Sequence, residues 1–153
     1  MGAAERVVAL DTSVVVAALL AAHEQHSVAA PFVAALRRGP GLVLPLPVLA
    51  ESYAVLTRLP TPLRLERHAV VQALSQTFQQ GAEVTGLGGA LGWGLIQEAA
   101  HRDLVGGATY DLHVALCARL AGATHVATFN RRHFERIGLE GLSVIVPGQP
   151  GGA

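Results

Sequence analysis

Along this chain, short apolar runs that end at a polar residue alternate with patterns typical of helices. The first run, residues 7–10, reads VVAL and is followed by Asp11. Four apolar residues without a polar position are typical of a strand buried on both faces of a parallel sheet. Further strands are predicted, with helical patterns between them, at residues 42–44, 83–85, 125–129 and 143–146. The alternation predicts an α/β domain built on a parallel sheet.

Proline and small polar residues predict where the helices begin. A helix carrying Glu51 is predicted from Pro47, and a further helix over about residues 62–80, because proline suits a first helical turn. Thr109 can cap a helix over residues 110–121.

Length and composition are those of one domain with a full core, since 51% of the 153 residues are hydrophobic. We expect a single domain over residues 1–147 and a flexible, Pro/Gly-rich tail over residues 148–153. Cys117 is the only cysteine, so no internal disulfide can form and a reducing compartment fits. The apolar stretch 14–22 is too short to span a bilayer, so a cytoplasmic protein without a membrane partner is expected.

The charged residues exclude several classes of function. Eleven basic and eleven acidic residues cancel, which excludes a strongly basic nucleic-acid-binding surface over the whole domain. Every basic residue is an arginine. Because a P-loop needs a lysine on the phosphates and Schiff-base chemistry needs an amine, the absence of lysine excludes both.

Three acidic residues lie where predicted strands end. Asp11 directly follows the first strand, Glu51 lies about two helical turns after the second, and Asp111 lies in the first turn of the helix predicted at residues 110–121. Because ligands bind beyond the carboxyl ends of parallel strands, these acids can converge on one site. Each has a structural alternative: Asp11 as a helix N-cap, Glu51 as a solvated side chain, Asp111 at a helix dipole. Asp103 lies in a polar stretch and is expected outside the site.

Three carboxylates without a thiolate form a hard oxygen site, which suits Mg²⁺ or Mn²⁺ rather than zinc. Such an ion lowers the pKa of bound water and neutralises charge on a phosphate, so the site predicts chemistry on phosphate esters. A further polar group is expected where the fourth strand ends, and Thr128 and Asn130 lie there.

Two other patterns compete with an acidic metal site. The glycine-rich segment 86–92 departs from the dinucleotide-binding fingerprint at Leu91, so a loop or the start of a helix is the better interpretation. His23 and His26 are three residues apart, but no second pair of zinc ligands lies near them.

Three segments, taken in order, resemble one family. They read VVALDTSVVVAALL from residue 7, LPLPVLAESYAVLTRL from residue 44 and GGATYDLHVALCARLAGATHVATFNRRHF from residue 106. In this order and spacing, over about residues 7–146, the sequence resembles the PIN-domain nucleases. Within that family it most closely resembles the VapC-type ribonuclease toxins of bacterial toxin–antitoxin pairs.

The resemblance implies a three-layer α/β/α fold with a central parallel sheet of four to five strands. By its motifs, Asp11, Glu51 and Asp111 match the catalytic acids that bind Mg²⁺ or Mn²⁺, with Glu51 directly or through water. Ser13 and Thr128 match supporting hydroxyl positions. The activity implied is metal-dependent endonucleolytic cleavage of single-stranded RNA. The partners implied are a small cognate VapB-like antitoxin and a second copy of the chain.

Asn130 stands where many family members carry a fourth acid. Its amide oxygen can still ligate a hard cation but brings no charge, so one well-occupied ion is expected, with Mn²⁺ favoured over Mg²⁺. One alternative is a structural Asn130 that caps the following helix. The other is a catalytically weak PIN-fold module that binds RNA or a protein partner without cutting.

Because the net charge is zero, a local group of arginines must bind the phosphates of RNA. Arg131 and Arg132 directly follow Asn130 and are expected at the rim of the site, and Arg58 and Arg136 are further candidates. Solvated surface arginines are the structural alternative.

Overall fold

The computed structural model describes residues 6–39 and 41–151, and its centre is a five-stranded parallel sheet in the order β3-β2-β1-β4-β5. The strands are β1 Val8–Leu10, β2 Leu42–Pro45, β3 Glu83–Thr85, β4 His125–Ala127 and β5 Ser143–Ile145. Within the described residues, the helices are α1 Thr12–Leu19, α2 His26–Arg37, α3 Leu46–Arg58, α4 Arg67–Phe78, α5 Gly89–His101, α6 Gly107–Leu120 and α7 Arg131–Ile137. The predicted α/β fold with a parallel sheet is confirmed, with five strands.

Strand β1 lies at the centre of the sheet, paired with β2 on one side and β4 on the other. Its three residues are fully buried. Val8 and Leu10 pack into the larger core cluster, whereas Ala9 packs with Val43 and with Ala118 of α6 in a smaller one. Because side chains alternate across a strand, the two clusters lie on opposite faces. This burial on both faces explains why the strand contains only apolar residues.

The order of the strands places a crevice beside β1. The chain adds β2 and β3 on one side of β1, then returns to add β4 and β5 on the other. In open α/β sheets, such a reversal leaves a crevice at the carboxyl ends of the two strands where it takes place. Asp11 follows β1 and Thr128 follows β4 at that point.

The helix predicted over residues 62–80 begins later than expected. Pro62 lies in a turn, and α4 begins at Arg67. Glu66 caps α4, because its carboxylate accepts hydrogen bonds from the N–H groups of His68 and Ala69 at 2.8 and 3.1 Å. The side-chain cap, rather than the proline, determines where this helix starts.

The helix predicted over residues 110–121 begins earlier than expected, at Gly107. Gly106, with φ of 57°, occupies the N-cap position, so Thr109 lies inside the first turn and does not cap the helix. Asp111 is consequently one turn deeper in α6 than the sequence pattern indicated.

The ends of the predicted domain and tail, residues 1–5 and 152–153, lie outside the described residues, as does residue 40. Residues 147–151 form turns, and Gln149 N–H donates to the Val146 carbonyl at 3.1 Å. A Cβ built on Gly148 would lie 2.7 Å from Val28 Cγ1, so this segment is packed against α2. The flexibility of the tail stays a prediction.

None of the described helices has both the length and the apolar character needed to cross a membrane.

Candidate active site

A cleft of about 890 Å³ opens beyond the carboxyl ends of β1 and β4. Asp11, Glu51 and Asp111 all line this cleft, although they belong to three different segments of the chain. Asp103 is not among the lining residues and lies in the turn after α5. The structure thus brings together the three acids that the sequence singled out and leaves the fourth candidate outside.

Asp11 is the most deeply buried of these acids, with 6% of its surface exposed. Ser13 Oγ donates a hydrogen bond to Asp11 Oδ2 at 2.8 Å, and Thr128 Oγ1 donates to the same oxygen at 2.7 Å. Although Asp11 occupies the N-cap position of α1, its side chain makes no capping hydrogen bond. The capping alternative is therefore wrong, and two hydroxyls hold the carboxylate instead.

Two backbone amides set the direction of those hydrogen bonds. Phe129 N–H donates to Ser13 Oγ at 3.0 Å, and Asn130 N–H donates to Thr128 Oγ1 at 2.9 Å. Because each hydroxyl oxygen accepts from an amide, its own hydrogen is free to point at Asp11 Oδ2. Within the described residues no hydrogen bond ends on Asp11 Oδ1, so that oxygen is left for a ligand in the cleft.

Glu51 reaches the cleft from α3, and Thr12 orients it. Thr12 Oγ1 donates to Glu51 Oε2 at 2.7 Å. Glu51 is exposed, as a solvated glutamate would be, but this hydrogen bond ties its carboxylate to the residue after Asp11. Thr12 is not among the residues that the sequence pattern singled out. Its position directly after a strand-end acid is the signal that could have identified it.

Asp111 lies in the second turn of α6, with 25% of its side chain exposed. Burial raises the pKa of Asp111 above its ordinary value, the nearby imidazole of His133 opposes that rise, and the charges of Asp11 and Glu51 add to it. His133 Nδ1 lies 3.4 Å from Asp111 Oδ2. No acid lies in the first turn of α6, which begins at Gly107, so the helix-dipole alternative for Asp111 loses its basis.

Arg132 and Arg136 line the cleft one helical turn apart on α7, whereas Arg131 and Arg58 do not line it. Arg131 Nη1 instead pairs with Glu135 Oε1 at 3.1 Å. Because residues four apart share one face of a helix, these two pairs lie on neighbouring faces. The structure places Arg132 where it was expected and corrects the position expected for Arg131.

Asn130 lines the cleft at the N-cap position of α7. Its side chain makes no capping hydrogen bond, so the structural alternative lacks the contact on which it depends. Its backbone N–H is bonded to Thr128, which fixes Asn130 close to the carboxylate of Asp11. Asn130 is exposed at the wall of the cleft, so its side-chain amide is accessible to a ligand there.

In the structure, the two histidines of the possible zinc pair make separate contacts, and most of the glycine-rich segment is helical. His23 lines the cleft, where its Nδ1 accepts from Gln25 N–H at 3.1 Å, while His26 Nδ1 lies 2.9 Å from the Ala17 carbonyl oxygen. The two imidazoles are thus held by separate local contacts. From Gly89 onwards, the glycine-rich segment is helical.

The donor chemistry of the cleft fits a hard divalent cation, because carboxylate and amide oxygens are the ligands that Mg²⁺ and Mn²⁺ prefer. Throughout the described part of the chain, however, no three His, Cys, Asp or Glu side chains stand close enough together to hold an ion already. Burial raises the pKa of Asp111, and the neighbouring charges of Asp11 and Glu51 add to that rise, so the acids repel one another. Binding of an ion would have to draw these side chains inwards.

The protein is an α/β domain with a parallel sheet and an acidic cleft at the carboxyl ends of its strands. Sequence comparison identifies its family. Residues 8–139 match the model of the PIN domain. The chain therefore belongs to the PIN-domain family. It is 40% identical over 116 residues to ribonuclease VapC40 of Mycobacterium tuberculosis, an alignment that covers 76% of this chain and 81% of that protein.

Solved structures share the fold at lower sequence identity. VapC20 of Mycobacterium tuberculosis, a sarcin–ricin loop cleaving toxin, superposes with a TM-score of 0.63 at 20% identity and covers 78% of this chain and 86% of its own. VapBC2 of Rickettsia felis, in a structure with a DNA fragment from the VapBC2 promoter, superposes with a TM-score of 0.64 at 19% identity. The match covers 92% of this chain and 98% of that one. FitAcB of Neisseria gonorrhoeae superposes with a TM-score of 0.61 at 15% identity, and the match covers 90% of this chain and 95% of that one. These likenesses support the PIN-type fold.

We expect Asp111→Asn to stabilise the metal-free protein. The raised pKa of Asp111 means that the folded state binds a proton more tightly than the unfolded state, so stability falls as pH rises from the ordinary aspartate pKa through the raised value. Removing the charge should therefore raise Tm by a few degrees at neutral pH in chelator. The gain should shrink below the ordinary aspartate pKa, where the carboxyl of Asp111 is protonated in both states. Thermal unfolding of both proteins across pH measures this. A Tm that is lowered at neutral pH would contradict it.

Proposed function

We propose that this protein is a divalent-metal-dependent endoribonuclease that cleaves phosphodiester bonds of single-stranded RNA. The observation that carries the proposal is the convergence of Asp11, Glu51 and Asp111 on one cleft, at the crevice where this fold places ligands. The 40% identity to a protein named as a ribonuclease supports the same class of reaction.

The roles of the three acids follow from how each is held. Asp11 presents one oxygen to the cleft while two hydroxyls hold the other, and Asp111 faces it from α6, so these two would bind Mg²⁺ or Mn²⁺. Glu51, tied by Thr12 and more exposed, would contact the ion through water or orient the attacking water. When bound, the ion supplies charge neutralisation on the phosphate and lowers the pKa of its water.

The phosphates of RNA would be held by the wall of the cleft that α7 forms. Arg132 and Arg136 lie on one face of this helix, where residues four apart have Cβ atoms about 5–6 Å apart. Arginine can grip a phosphate with two parallel hydrogen bonds. Arg131 was also expected to bind RNA, but its ion pair with Glu135 makes it the weaker candidate.

The resemblance to VapC toxins extends the proposal to partners. We propose that the protein acts as the toxin of a toxin–antitoxin pair, held inactive by a small VapB-like antitoxin, and that it forms a homodimer. The similarity in fold to VapBC2 and FitAcB, and the identity to VapC40, support this.

The second candidate function is a PIN-fold module that binds RNA or a protein without cutting. The observation that favours it is Asn130, an uncharged side chain in the acidic cleft, which reduces the charge available to hold an ion. Comparing RNA cleavage in Mg²⁺, Mn²⁺ and chelator separates the two functions. Binding without divalent-dependent cutting would favour the module.

Asp11→Asn should abolish cutting with little change in stability. The amide keeps an oxygen that accepts from Ser13 and Thr128 but loses the charge that binds a cation. The loss of cleavage rate should exceed the roughly 10- to 100-fold that the loss of a group outside the ligand shell costs. Initial rates on single-stranded RNA in Mn²⁺, together with Tm, measure both effects. Asp103→Asn is the matched control, since it lies outside the cleft and its φ of 54° suits asparagine. Unchanged cleavage by Asp11→Asn would rule out the proposed site.

Arg132→Glu should weaken RNA binding and flatten its salt dependence, whereas Arg131→Glu should do so much less. The expected change in the slope of log affinity against log salt is about one unit for each lost phosphate contact. Affinities measured over a salt titration in chelator test this with the two neighbouring variants. Equal effects of the two substitutions would show that the cleft wall of α7 does not hold the phosphates.

A further inference from the structure

Tyr110, next to Asp111, presents an exposed aromatic ring at the cleft. It lines the same cleft as the acids, and 72% of its surface is exposed. A large ring left in water at a binding cleft is unusual, because aromatic side chains contribute most when they are covered. Its position on α6, a helix of 14 residues, holds it on a rigid element.

The surface one turn before Tyr110 is bare. A Cβ built on Gly107, which lines the cleft, would meet nothing within 4 Å, and neither would one built on the preceding Gly106, so no side chain covers the surface there. The φ of 57° explains the glycine at 106. At 107, inside the helix, neither a positive φ nor a close contact requires glycine, and alanine would favour the helix there. Glycine at this position leaves room for a ligand to approach the backbone closely.

Negatively charged side chains outnumber positively charged ones in the cleft, so a contact that does not depend on charge would help to bind RNA. Among the described residues, four carboxylates line it, those of Asp11, Glu24, Glu51 and Asp111, against the two guanidinium groups of Arg132 and Arg136. Charge alone therefore gives this surface little attraction for the phosphates of RNA before a cation binds. Stacking of a base on an aromatic ring does not depend on charge and suits any base.

We propose that Tyr110 is the residue on which a nucleobase of the RNA substrate stacks, in the open space beside Gly107. The inference rests on the proposed ribonuclease function and adds a base-binding position to it. Because Tyr110 and Asp111 line the same cleft, the stacked base would belong to a nucleotide near the bond that is cut. The position requires an unpaired base, since a base within a duplex already has neighbours on both faces. It therefore restricts the substrate to single-stranded RNA.

The experiment compares Tyr110→Leu and Tyr110→Phe with a matched control, Tyr53→Leu. Tyr53 is the other tyrosine of the chain, is 38% exposed on α3 and does not line the cleft. Each protein is tested on one short single-stranded RNA and on copies in which a single base near the cut is replaced by an abasic ribose. The measurements are kcat/KM in Mn²⁺, RNA affinity in chelator and the oligomeric state.

We expect Tyr110→Leu to lower kcat/KM about 10- to 100-fold, the size of one base–aromatic stack. Tyr110→Phe should stay within about threefold of wild type, since the ring is kept, and Tyr53→Leu should be unchanged. Removing the base next to the cut should slow the wild type but not Tyr110→Leu, because the stack is already lost. Gly107→Leu should raise Tm and yet lower kcat/KM, because its side chain fills the space for the base.

Equal kcat/KM for wild type and Tyr110→Leu would overturn the inference and leave the ribonuclease function standing. A phenylalanine variant as weak as the leucine variant would also overturn it, since the hydroxyl rather than the ring would then be needed. If Tyr110→Leu dissociated an oligomer without changing RNA affinity, the ring would belong to a protein contact. If the wild type cut no RNA, the proposed function would fail. Affinity in chelator would then decide the inference: loss of binding in Tyr110→Leu supports it and equal binding overturns it.

Discussion

The buried carboxylate of Asp11 is the constraint on which the rest of the site depends. A charge at the end of a strand buried on both faces is costly unless polar partners meet it. Ser13 and Thr128 supply those partners and tie the segment after β1 to the segment after β4. The same contacts leave Asp11 Oδ1 facing the cleft. The hydrogen bonds that make burial of the carboxylate possible therefore also leave one of its oxygens available to bind a cation.

Asp111 and Glu51 add negative charge to the cleft, and this charge destabilises the ion-free protein. Asp111, half-buried on α6, has a raised pKa because of its burial and because of the charges of Asp11 and Glu51. These side chains do not yet stand close enough together to enclose an ion. A divalent cation would relieve their repulsion and draw them inwards, which means that ion binding would also stabilise the fold. The clustered carboxylates thus lower the stability of the ion-free protein, and a cation and the substrate would complete the site.

Sequence patterns predicted the parallel sheet and singled out three acids that the structure places in one cleft, because strand burial and strand ends are visible in the sequence. These patterns did not predict features that depend on contacts between segments far apart in the chain or on the exact start of a helix. Thr109 is a good capping residue, yet the turn at Gly106 starts α6 earlier. Arg131 and Arg132 are neighbours in sequence, but they lie on different faces of α7, so only Arg132 lines the cleft while Arg131 pairs with Glu135. The role of Thr12 depends on a helix that begins more than thirty residues later, as its hydrogen bond to residue 51 shows.

The central claim is that one divalent cation is shared by Asp11, Glu51 and Asp111, and the anomalous diffraction of Mn²⁺ in crystals of the protein tests it most directly. We expect one strong peak in the cleft, bounded by Asp11 and Asp111 with Glu51 facing it. A second peak near Asn130 should stay weak without RNA, since an amide adds no charge. Crystals of Asp11→Asn should lose the strong peak. A cleft without Mn²⁺ in the wild type, or a peak unchanged in Asp11→Asn, would contradict the claim.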